Sequence, residues 1–123
     1  MATWREVAAF LNEFKVAMDF GFFRFVDRQK NLQGLATLGI TVAEAKQVLA
    51  SLTPENYSYG PEANHDESNE DVWFFGAEVE GTEAYIKLKL VQDPRKNTVQ
   101  WAKVLGFHPA ERPIAYPLRS TEP

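Results

Sequence analysis

Three strand-like runs follow one another in the second half of the chain: Asp71 to Val79, Ala84 to Gln92 and Asn97 to Phe107. Their links, Glu80-Gly81-Thr82-Glu83 and Asp93-Pro94-Arg95-Lys96, are of hairpin size. Consecutive short links predict an antiparallel meander. The first half reads as helices. Thr3 and Glu6 form a capping box, and Val7, Phe10, Leu11, Phe14, Ala17 and Met18 recur at helical spacing up to Gly21, which predicts an amphipathic helix over roughly residues 4 to 19. Lys30 to Leu38 predicts a second helix, stopped at Gly39. Thr41 with Glu44 heads a third that runs to about Leu52, and Thr53-Pro54 starts a single turn leading to Tyr57. Phe22 to Val26 has strand composition in a run too short to fix the element, and Ser58 to Glu70 is expected as a polar surface loop. The expected class is α+β, with N-terminal helices packed on one face of a small antiparallel β-meander. No repeat or linker divides it, so residues 1–123 are expected as a single domain.

Strand alternation then sorts side chains by face. In Glu83 to Leu90, the residues Ala84, Ile86, Leu88 and Leu90 point one way and Tyr85, Lys87 and Lys89 the other. The first set builds a core, and the second offers a phenol and two ammonium groups in a row. In the last run, Val99, Trp101, Leu105 and Phe107 are expected on the core face, with Ala102, Val104, Gly106 and His108 opposite. Lys103 then falls on the core side and requires a bulge or an edge. Trp73 and Phe75 are expected to pack inward, leaving Phe74 exposed on the polar face, where it could stack on a base.

Composition narrows the chemistry. The chain has no cysteine and only two histidines, His65 and His108, so thiolate and multi-histidine metal sites are not expected, nor is any cofactor. A basic signal-like start and an apolar run near the roughly 20 residues that span a bilayer are both missing, so a cytoplasmic protein without membrane contact is expected. The net charge of −4 comes from Glu62, Asp66, Glu67 and Glu70, because the segments on either side are each balanced. Nucleic-acid binders usually show a basic surplus. Either this acidic stretch lies away from a basic groove, or it competes with substrate, or RNA is not the ligand, and composition alone leans against RNA.

Several short motifs, in order, resemble the MqsR-like toxins of bacterial toxin–antitoxin modules. They are Leu52-Thr53-Pro54-Glu55-Asn56-Tyr57-Ser58-Tyr59-Gly60-Pro61, His65-Asp66, Glu70-Asp71-Val72-Trp73-Phe74-Phe75-Gly76, Tyr85-Ile86-Lys87-Leu88, Phe107-His108-Pro109-Ala110 and Tyr116-Pro117-Leu118. The resemblance implies a RelE-like fold and a ribosome-independent endoribonuclease that cuts single-stranded messenger RNA without a metal. It also implies neutralisation by a cognate antitoxin, with no DNA contact by the chain itself. On the family's pattern the catalytic positions fall on Tyr85, Lys87 and His108. Lys89, Tyr59, His65 and Phe74 are the expected substrate contacts.

Those residue types suit the chemistry. RNA is cut when its 2′-hydroxyl attacks the adjacent phosphate, which needs a base at the 2′ oxygen, cations at the phosphate and an acid at the 5′ leaving oxygen. Histidine serves at either end; lysines and a tyrosine stabilise charge on the phosphoryl oxygens. Each residue also has an ordinary structural use: a strand-end histidine in a turn, lysines on a solvated face, a tyrosine in cross-strand packing, and Phe74 as a core aromatic. The competing functional expectation is a non-catalytic RNA- or protein-binding domain on the same scaffold.

Overall fold

The computed structural model describes residues 1–26, 28–63 and 70–119. Helix α1 (Trp4–Asp19) is followed by a short strand β1 (Phe23–Phe25), helices α2 (Gln29–Leu38) and α3 (Val42–Ser51), and a 3-10 turn (Pro54–Asn56). Four further strands follow among the described residues: β2 (Tyr57–Ala63), β3 (Asp71–Val79), β4 (Thr82–Gln92) and β5 (Gln100–Pro109). The capping boxes at Thr3–Glu6 and Thr41–Glu44 are both formed. Gly39, at φ 75°, ends α2 in the left-handed conformation that glycine adopts without a steric penalty.

The sheet order is β1-β5-β4-β3-β2. The meander β3-β4-β5 is antiparallel as expected, but the sheet as a whole is mixed, because β1 pairs parallel with β5 through Phe23↔Ala102 and Phe25↔Val104. A parallel pair needs a long crossover between its strands, and here everything from α2 to β4 supplies it. A three-residue strand carries too little alternation to announce this. The expected loop after Tyr57 is also corrected. Its first part is strand β2, an edge strand with two register irregularities against β3. Edge strands tolerate Pro61 and polar residues such as Glu62 because one side needs no partner.

The three helices pack on the sheet face formed by Phe75, Ala77, Ala84, Ile86, Leu88, Val104 and Phe107. Val7, Phe10, Leu11 and Phe14 of α1, Leu35 of α2 and Leu49 of α3 join that cluster. Each fully buried side chain of this size contributes about 1.5–3 kcal/mol. Trp73 does turn inward with Phe75, half-buried, its ring 4.6 Å from that of Phe10 and nearly parallel to it.

A bulge reorganises β5. Lys87 pairs with Gly106 but Leu88 with Val104, so Leu105 is the extra residue. The expected parity is therefore wrong before that point. Ala102 and Val104 are core residues, and Leu105 joins Val72 and Phe74 in a second cluster on the opposite face. The bulge also answers the problem posed by Lys103, which pairs with Lys89. Helix α2 holds the irregularity in place. Asn31, 2% exposed, donates through Nδ2 to the carbonyls of Val26 and Leu105, both at 3.0 Å, and accepts at Oδ1 from the Phe107 amide at 3.3 Å. Where β1 ends, one side chain takes the place of a neighbouring strand. Gly34, one helical turn on, allows this approach: a Cβ there would lie 2.6 Å from that of His108.

Candidate functional site

The second face of the sheet is covered in part by the segment after β5. Glu83 holds that segment, accepting at Oε1 from the Ile114 amide at 3.1 Å and at Oε2 from the Tyr116 hydroxyl at 2.8 Å. Gly76 lies beneath it, where any side chain would collide with Ile114 and Tyr116. Between this strap, α2 and the strands is a cavity of about 490 Å³, with Tyr59, Phe74, Tyr85 and His108 on its aromatic side and Lys30, Glu111 and Arg112 on its charged side.

Tyr85 and His108 are directly opposed on β4 and β5. Their rings stack with centroids 5.0 Å apart and planes 25° from parallel. Lys87 stands opposite Gly106 on the same face, where the missing side chain leaves room: a Cβ on Gly106 would touch the Cβ of Lys87 at 3.3 Å. The lysine ammonium lies 5.7 Å from the Phe74 ring centre. Tyr85, Lys87 and His108 thus share one face, with the tyrosine and histidine on the cavity wall and the lysine beside it.

The other expected contacts are distributed differently. Tyr59, 43% exposed, lines the cavity and stacks on Phe74 at 4.0 Å, 7° from parallel. Phe74 is the correction: at 6% exposure, beneath Tyr59 and beside Tyr85, it is a buried wall rather than an exposed stacking platform. The covering strand β2, which sequence alone reads as loop, is the reason. Lys89, also at 6%, is buried rather than solvated and lies off the cavity lining. His65 falls outside the described residues. Sequence reasoning missed Lys30, Glu111 and Arg112. Glu111 and Arg112 carry one signal, their position between Pro109 and Pro113, which predicts a stiff segment without saying where it lies.

Protonation follows from the surroundings. Burial pushes the Tyr85 phenol well above its usual range, and its hydrogen bond with Tyr59, then the charges of Tyr59, Glu62 and Glu111, add to the effect. Tyr85 is therefore a neutral hydrogen-bonding group rather than a base. His108 Nδ1 lies 2.8 Å from the Pro109 carbonyl oxygen. A carbonyl only accepts, so Nδ1 donates, and a neutral ring carries its lone pair on Nε2. Among the described residues, no group of three His, Asp or Glu side chains is arranged to hold a metal.

Tyr116 is pushed up to about 12, first by burial and then by its bond to Glu83. A group whose folded pKa is raised contributes stability that is complete below its unfolded value, here the usual phenol value of 10.0, and lost as pH rises through the folded one. Urea midpoints are expected to fall between pH 10 and 12, and Tyr116→Phe to lessen that fall. An equal fall in the mutant would mean that the strap bond has no part in it.

No family model, curated protein or solved structure matches the chain.

Proposed function

We propose that this chain is the toxin of a toxin–antitoxin module, a metal-independent, ribosome-independent endoribonuclease acting on single-stranded messenger RNA and restrained by a cognate antitoxin protein. The observation that carries the reading is the stacked Tyr85–His108 pair on a cavity wall with Lys87 on the same face. The motif resemblance supports it from the sequence side.

In this mechanism His108 takes the 2′-hydroxyl proton at Nε2 while the 2′ oxygen bonds to phosphorus. The bond from phosphorus to the 5′ oxygen breaks, and that oxygen takes a proton from water as it leaves. The products are a 2′,3′-cyclic phosphate and a 5′-hydroxyl. Lys87 neutralises charge that develops on the phosphoryl oxygens, and Tyr85 orients the imidazole by stacking. The Nδ1 donation to Pro109 fixes the tautomer that leaves Nε2 free to act.

The Lys87 ammonium over the Phe74 ring favours the second reading, a binding domain without catalysis, because a lysine engaged by a buried aromatic is partly withdrawn from a phosphate. Incubating purified chain with several single-stranded RNAs in EDTA separates the two. Cleavage with cyclic-phosphate ends is the expected result. RNA that is bound and left intact would establish the binding domain instead.

A further inference from the structure

The charged side of the cavity is built around one carboxylate. Lys30 on α2 and Glu111 in the strap form an ion pair of 2.6 Å, with side chains 64% and 66% exposed. Their interaction holds the Glu111 carboxyl below its usual range, and the charges of His108 and Arg112 add to it. Glu111 thus lies within electrostatic reach of three basic groups that line the same cavity. Exposed ion pairs contribute little to stability, so this one opens at small cost.

A phosphate carries the same sign of charge as the carboxylate with more acceptor oxygens, and lysine and arginine are its usual partners. The Tyr85–His108 and Tyr59–Phe74 stacks add flat aromatic wall on the other side. A cavity of about 490 Å³ lies in the range of small-ligand sites, about 300–1,000 Å³. A planar ring joined to a phosphate matches both sides at once.

We propose that the cavity holds one nucleotide, with its base against the aromatic wall and its phosphate on Lys30 and Arg112, and that Glu111 is a built-in competitor that leaves Lys30 when the phosphate enters. This rests on the ribonuclease reading in that the site handles nucleotides, and it adds a latch that sets how readily the site fills.

Calorimetric titrations at low salt test it, using adenosine 5′-monophosphate, adenosine and a short single-stranded RNA against wild type, Glu111→Gln, Lys30→Gln and the double variant. Glu111→Gln is expected to tighten binding of the phosphate-bearing probes about two- to fivefold and to leave adenosine unchanged. Lys30→Gln should weaken those probes about three- to tenfold. In the Lys30→Gln background, Glu111→Gln should lose most of its benefit, because the pair acts as a unit. A response with the mononucleotide places the phosphate on a free nucleotide; a response with RNA alone places it within the strand.

Unchanged or weaker binding by Glu111→Gln, or a benefit that survives intact without Lys30, overturns the latch. The two readings fail separately. RNA bound with this pattern but left uncut removes the nuclease and leaves the latch, whereas RNA cut with no response to Glu111→Gln does the reverse. If no probe binds and no RNA is cut, both fall.

Discussion

His108→Ala is expected to lower the rate of metal-free RNA cleavage by about 10²- to 10⁴-fold while leaving the fold intact. The side chain is half-buried on a cavity wall, and its ring contacts Tyr85 rather than the main core. Surface and partly exposed substitutions of this kind usually change stability by no more than about 0.5 kcal/mol, well short of the loss in rate. Cleavage assays in EDTA on wild type and mutant, matched by circular dichroism and urea midpoint, measure both quantities. A mutant that cuts at the wild-type rate moves the chemistry away from this imidazole, and His65 is then the histidine to replace.

The second large effect concerns stability. Asn31→Leu is expected to cost about 3 kcal/mol, because it strands the Val26 and Leu105 carbonyls and the Phe107 amide beside a buried apolar side chain. Against a typical total of about 5–15 kcal/mol, this should lower the urea midpoint by about 1–2 M. Asn31→Asp keeps an acceptor for the Phe107 amide but loses both donated bonds, so it should be destabilised as well. The ring-current shifts of His108, whose Cβ sits against Gly34 of the same helix, should change with the bulge. A midpoint within error of wild type would mean that β5 keeps its irregularity without the asparagine.

Much of the architecture was legible in the chain because it rests on local rules. The capping boxes at Thr3 and Thr41, the stop at Gly39 and the turn at Gly81 each depend on residues a few positions apart, and each appears where expected, whereas the link after β4 is longer than expected because β5 starts at Gln100 rather than Asn97. The face shared by Tyr85 and Lys87 follows from the period of two in β4, which pairs with β3 without interruption.

His108 reached that face by a different route from the one expected. Parity counted from the strand's start placed Leu105 in the core and Val104 opposite, yet the bulge reverses those two and leaves Gly106 and His108 beside Lys87 and Tyr85. Alternation is a property of a regular strand, whereas a bulge is held by hydrogen bonds from outside it, here from a side chain 74 positions away from Leu105. The burial of Phe74 and Lys89, the parallel pairing of β1 and the meeting of Lys30 with Glu111 are of the same kind. The sequence by itself determined the helices, the meander and the row of Tyr85, Lys87 and Lys89, because period, caps and turn residues act over one or two turns of chain. Only the tertiary structure decided which of those side chains stayed open and which charges joined them, because that depends on β2 joining the sheet edge and on the strap and α2 packing against the sheet through contacts that no local pattern records.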